Sequence, residues 1–147
     1  MSTNNQVLNT GQQATTNYDL SKIFIWDNRY SKANYTNSGY DSVDLAAGTL
    51  MGRISATQEI IPLASGASDG SQYPVGILAQ DATVEAGDTV ELAFCNYGDV
   101  VEGKVILDGS DTLDTVIEGR SIRDRIAGDT VGVRLVPSTE MTGEDNQ

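Results

Sequence analysis

From about residue 22 onward, apolar and polar side chains alternate in short runs, and the alternation predicts a series of strands. Val90, Leu92 and Phe94 alternate with Glu91, Ala93 and Cys95, which is the pattern of a half-buried strand with one core face. Val101, Gly103, Val105 and Leu107 continue that period, with Glu102 and Lys104 on the other face. A Gly98-Asp99 turn between the two runs predicts a hairpin over residues 89–107. Residues 50–56 alternate in the same way, and residues 59–63 form a second short apolar segment whose Pro62 marks an edge or a strand end. Residues 75–79 are a continuous apolar run, which suits a strand buried on both faces. Val131, Val133 and Leu135 alternate with Gly132 and Arg134, giving a final strand that Pro137 ends.

Between these strands the pattern changes. Residues 64–72 are a small-residue loop, and residues 85–88 are a turn in which Gly87 is free to take positive φ. A phosphate-cradling role for the Gly-rich loop lacks a lysine, a helix start and a flanking βα unit. Residues 110–127 read as two short helices, because Leu113, Val116 and Ile117 share one face while Ile122 and Ile126 share a nearly opposite one. Ser121, with Asp124 three residues on, suits the cap of the second, and Gly128 suits its stop.

Residues 1–21 are rich in Asn, Gln and Thr and hold too little apolar surface to offset their ordering entropy, so they read as a flexible N-terminal arm. Ile23, Phe24, Ile25 and Trp26 then form a dense apolar patch that fits a short strand. A polar loop with Tyr30, Tyr35 and Tyr40 follows, and its five-residue spacing suits neither a helix face nor a strand face. Residues 138–147 read as an acidic C-terminal tail. The resulting division is an arm at 1–21, a β-rich domain at 22–137 and a tail at 138–147.

Charge narrows the partners. The net charge is -12, and most of the acidic excess lies after residue 74, so nucleic acid and anionic membranes are poor candidates. No apolar run is long enough to span a bilayer, and the N-terminus has neither a basic region nor an apolar core of the secretory kind. These features lead us to expect a soluble protein made in a cytoplasm.

Candidate chemistry is sparse. The chain contains no histidine, which removes the commonest general base and metal ligand. Its one cysteine, Cys95, sits in a strand pattern and reads as a small buried hydrophobe. Asp81, Glu85, Asp88, Glu91, Asp99 and Glu102 fall at turns and outward strand positions, as a solvated face would. Asp108, Asp111 and Asp114 are spaced like part of a calcium loop, but the glycine and the terminal acid of such a loop are missing. Arg120, Arg123 and Arg125 are expected to form local ion pairs with Glu118 and Asp124. No catalytic group, cofactor or metal is expected.

The order of pieces between residues 45 and 137 resembles the head decoration, or capsid cement, proteins of tailed bacteriophages. Gly48 and Gly52 flank the first strand of that order, Pro74, Val75, Gly76 and Ile77 form its apolar strand, and Ala86, Gly87 and Asp88 form its turn. A core hairpin, a short helix and a Gly-Val-x-Leu-type strand at residues 132–135 complete it. The resemblance implies a mainly β fold, a small barrel or β-tulip-like domain with one or two short helices. It further implies a homotrimer that binds the major capsid protein on the outside of the expanded capsid and stabilises it against internal DNA pressure. An N-terminal arm would reach into the capsid protein, often by adding a strand. Ile23, Phe24, Ile25, Trp26 and Tyr30 are the candidate capsid contacts. The Tyr- and Asn-rich stretch at residues 18–43 and the acidic tail depart from the smaller members of that family. A carbohydrate- or receptor-binding module on a phage head or tail is the alternative, motivated by Trp26 and the loop tyrosines, and a carboxylate enzyme is the weakest reading.

Overall fold

The computed structural model describes residues 22–128 and 131–137. Along the chain come β1 (Phe24–Thr36), β2 (Val43–Leu45), β3 (Leu50–Arg53), β4 (Ile60–Pro62), β5 (Pro74–Leu78), β6 (Ala82–Val84) and β7 (Thr89–Val101). A 3-10 turn (Glu102–Lys104) leads to β8 (Val116–Ile117), β9 (Arg120–Ser121), the helix α1 (Ile122–Gly128) and β10 (Gly132–Val136). The arm expected at 1–21 and the tail expected at 138–147 lie outside the described residues.

The main sheet has the order β1-β7-β5-β3-β4, with β10 also paired to β7. One edge of β7 is taken by β1, antiparallel and uninterrupted from Ser31 opposite Phe94 to Thr36 opposite Thr89. Its other edge is shared: Phe94 and Cys95 face Leu78 and Ile77 of β5, and Tyr97 to Val101 face β10 in parallel. The sheet curls until the Thr36 hydroxyl donates to the Glu59 carboxylate, 2.6 Å away, but no ladder joins β1 to β4. Among the described residues the mainly β fold is therefore an open, curled sheet and not a closed barrel.

Side chains of neighbouring positions go to opposite faces, and both faces are buried. Met51, Ile60, Leu78, Leu92 and Phe94 lie inside the curl, with Leu45 and Val84 of the β2–β6 ribbon closing over them. Leu50, Ile77, Cys95 and Val100 lie on the outer face under Ile122 and Ile126 of α1 and Ile117 of β8. Burial on both faces explains why residues 74–78 lack alternation.

Glycines permit the close approaches in this packing. A Cβ on Gly76 would stand 2.5 Å from Phe94 Cδ2 and 2.6 Å from the Cys95 carbonyl oxygen. One on Gly52 would stand 2.1 Å from the Ser71 carbonyl, and Gly48, at φ +100, would meet the Lys104 carbonyl at 2.5 Å. Pro74 and Ile77 are buried in the same β5 strand while Val75 is half-buried. Ala86, Gly87 and Asp88 are exposed in the turn before β7, which is tied to the end of β1 by Gly87 N–H to Asn37 O and Asn37 N–H to Asp88 O.

Three expectations need correction. The hairpin over residues 89–107 does not form: β7 runs straight through Gly98 and Asp99 to Val101. The Gly-Asp pair is a local turn signal, but strands paired on both sides of it hold the backbone extended, and Gly98 takes φ +114 to pass Asn28. The polar loop after Trp26 is instead the continuation of β1 to Thr36; Tyr35 is buried in the inner core, while Tyr40 is fully exposed. The first of the two short helices is absent. Residues 116–121 form a hairpin whose turn residues, Glu118 (φ 49) and Gly119 (φ 86), are both left-handed, as a two-residue hairpin loop requires. Val116 accordingly points outward at 64% exposure while Leu113 and Ile117 are buried. The second helix forms, with Asp124 N–H donating to the Ser121 hydroxyl at 3.2 Å.

Gly76→Ala should lower stability by about 2 kcal/mol, because neither Phe94 nor the Cys95 carbonyl has room to yield. Gly103→Ala, with no atom near its added Cβ, should change it by less than about 0.5 kcal/mol. Urea midpoints of the two variants test this. Burial pushes the Cys95 thiol up from its ordinary value, so it holds little thiolate near neutrality. It should react slowly with a thiol reagent at pH 8 in the native protein and fully in guanidinium chloride. Fast native labelling would contradict its burial.

Candidate functional site

The first half of β1 is irregular. Its register against β7 shifts between Phe24 and Trp26, between Trp26 and Arg29, and between Arg29 and Tyr30. Asp27 sits in the left-handed region at φ 49. Such bulges twist a strand and re-aim its side chains. Asn28 supplies the bonds that the broken ladder lacks: its side-chain amide donates to the Asp99 carbonyl at 3.0 Å and to Cys95 Sγ at 3.5 Å. Pairing holds at the strand entry, where Val101 N–H donates to Ile23 O at 2.9 Å.

The bulge turns polar and aromatic groups outward. Trp26 is 61% exposed and Tyr30 49%. Ile23, Phe24 and Ile25 are half-buried, and Ile23 and Phe24 pack against the outer core. The Phe24 and Tyr30 rings meet edge to face at 5.9 Å, and burial there pushes the Tyr30 phenol up. Of the five candidate contacts, two thus present broad free surface, while Ile23 and Phe24 also serve the fold.

Other elements bring residues to this place that the sequence pattern did not connect with it. Tyr97, 44% exposed, has the Arg29 guanidinium 4.6 Å from its ring centroid. Asp99, read from sequence as a solvated turn carboxylate, is instead 7% exposed. Arg134 of β10 chelates it, Nε to Oδ1 at 3.0 Å and Nη2 to Oδ2 at 2.8 Å, a planar charge-assisted pair that offsets the cost of burying the carboxylate. Trp26, Asp27, Tyr97, Asp99, Gly132 and Arg134 line a shallow groove of about 500 Å³. The signal for Arg134 was its place on the outward face of the final strand. Its pairing with Asp99, 35 positions away, had none.

The remaining polar groups are dispersed. Asp81, Glu85, Asp88 and Glu91 are exposed. Asp111 accepts from the Ser65 hydroxyl, and Asp114 pairs with Arg123, which also reaches Glu102 at 2.9 Å. Arg125 donates to the Ile117 carbonyl, and Arg120 to that of Asp124. Among the described residues no three acidic or cysteine side chains converge on one point. Also among them, no helix is long and apolar enough to cross a membrane. The surface is suited to contact, through aromatic faces and guanidinium groups, on an otherwise acidic chain.

Trp26→Ala should leave the unfolding midpoint nearly unchanged, since a 61% exposed ring gives little to the core. Phe24→Ala should cost about 2 kcal/mol, because it removes a ring packed on the outer cluster. Equal losses in thermal melts would mean that Trp26 serves packing and not contact.

Comparison with known proteins bears on what this surface is for. No curated protein matches the chain. The family model for bacteriophage lambda head decoration protein D matches residues 10–117. The match takes in β1 with its bulge, the whole β3–β7 framework and β8; it begins well before residue 45, where the sequence pattern alone started the likeness, and ends before the short helix and final strand that the pattern had included up to residue 137. With well over half its length matched, the chain belongs to the bacteriophage lambda head decoration protein D family, structural proteins of the phage capsid.

Proposed function

We propose that the chain binds the outside of the expanded phage capsid as a homotrimer and stabilises the shell against the pressure of packaged DNA. Family membership supports the capsid, and the observation that carries the contact is the bulged, outward-facing Trp26–Tyr30 segment on an edge strand. The energetic logic is linkage: a protein that binds the expanded shell and not its precursor stabilises the expanded state in proportion to occupancy. A trimer engages neighbouring shell subunits together, so each weak contact acts at high effective concentration.

In this reading residues 1–21 order on the major capsid protein and β1 continues their path across its surface, with Trp26 and Tyr30 as anchors beside Ile23, Phe24 and Ile25. Synthesis is in the host cytoplasm, before addition to the virion. The net charge of -12 opposes contact with the packaged nucleic acid and with anionic membranes. A second reading, a saccharide-binding role, draws on Trp26 and Tyr97 flanking one groove beside the Asp99–Arg134 pair.

Purified protein should sediment at about three times 15.6 kDa. It should also bind saturably to expanded, undecorated capsids and not to unexpanded procapsids. Deleting residues 1–21 should weaken capsid binding and leave the fold intact. Absence of binding to either shell would end the capsid reading. Glycan-array binding abolished by Trp26→Ala would then establish the saccharide one.

A further inference from the structure

The basic residues of this acidic chain are unevenly placed. It has nine Lys and Arg against 21 Asp and Glu. Lys22, Arg29 and Lys32 fall within residues 22–36, where Asp27 is the sole acid. That segment has a positive balance while the rest of the chain carries the entire acidic excess. Lys22, just before β1, and Arg29 and Lys32 on it are all exposed, and they alternate along the chain with exposed Trp26 and Tyr30. Arg134 adds a guanidinium at the adjoining groove. Of the basic groups elsewhere, Arg123 is held by Glu102 and Asp114 and Arg125 by the Ile117 carbonyl, while Lys104 stands exposed and apart from the strip. Among the described residues neither Lys22 nor Lys32 forms an ion pair, and Arg29 reaches Asp27 only at 3.8 Å. The acids near this strand are Asp27, the chelated Asp99, and Glu91 and Glu59 toward its far end.

We propose that the stretch from Lys22 into the open edge strand β1 as far as Lys32 is a docking strip for an acidic segment of the shell protein. The proposal rests on the capsid-binding reading and adds the chemistry of the partner. Lysine on an edge strand has a plain alternative role, keeping the edge from pairing with other copies. That role needs charge alone and gives no reason to expose Trp26 and Tyr30 beside it. Aromatic and guanidinium groups together are the composition of an interface anchor.

An acidic partner also gives the strip a directing role. The acidic body of the protein and an acidic segment of the shell repel one another in orientations that do not bring this strip forward. The same field turns the acidic surface outward once the protein is seated. It disfavours a second copy at the strip, because two basic edges would face each other.

Co-sedimentation with expanded capsids, read as the half-saturation concentration, tests the strip. Lys32→Glu and Lys104→Glu shift net charge equally, and both lysines are exposed, but only Lys32 lies on the strip. Lys32→Glu should weaken binding about tenfold in the multivalent complex, and Lys32→Gln by less. Lys104→Glu should stay within about twofold of the parent. Unchanged thermal midpoints would confirm that all variants fold. Equal weakening by the two glutamates would show that only net charge matters and would overturn the strip. Parental binding by Lys32→Glu would overturn it too, leaving the lysine as an edge guard. If the unaltered protein bound no capsid, the capsid reading itself would fall and this inference with it.

Discussion

The fold depends on β7 being hydrogen-bonded along both edges and packed on both faces. A buried strand must satisfy its backbone amides and carbonyls, and the buried part of β7 does so with β1 on one side, where Asn28 bridges the bulge, and with β5 at Phe94 and Cys95 followed by β10 at Tyr97 to Val101 on the other. Its side chains then divide between two cores, Leu92 and Phe94 inward and Cys95 and Val100 outward. Two close approaches make this arrangement feasible. Gly76 lets β5 lie against Phe94, and Gly98 lets β7 pass the bulge of β1. A side chain at either place would push apart strands whose spacing is set by their ladder.

With the interior of the sheet so occupied, β1 is left at the border. Borders of sheets are where a protein guards against or invites another chain. Here the regular half of β1 gives the sheet its edge, while the bulged half abandons the ladder, lets Asn28 replace it, and turns Trp26, Arg29 and Tyr30 outward. The groups that break the regular pattern are thus held by the groups that keep it. These outward groups are held by a strand whose regular half is paired into the sheet, which limits the ordering entropy that any contact there would cost. Outside this segment the chain is strongly acidic, so the basic groups of β1 stand against a negative background.

Legibility of this chain followed the range of the interactions involved. Strands with simple alternation, such as residues 90–95 and 131–135, were readable because their period reports one face against another. The cap of α1 by Ser121 was readable because it spans three residues. The end of β7 was not, since Gly98-Asp99 looks like a turn until β10, more than 30 positions later, pairs across it. Tyr30 and Tyr35 looked alike in a polar stretch, yet one faces outward at the bulge and the other fills the inner core. The Glu118-Gly119 turn was a missed local signal: a helical reading of Leu113, Val116 and Ile117 concealed a two-residue hairpin loop.

Composition and local pattern were enough to establish a mainly β, acidic chain without histidine chemistry and to mark the apolar and aromatic patch at residues 23–26 as a candidate contact. Those properties are sums or short-range patterns, so they survive without coordinates. Coordinates were needed to show which of those residues are exposed, that Tyr97, Asp99 and Arg134 join them around one groove, and that β1, with exposed Arg29 and Lys32, is an edge strand. Each of those facts depends on which strands pair and in what register. Register is settled by burying two cores at once, a constraint spread over the whole chain and visible in no single segment.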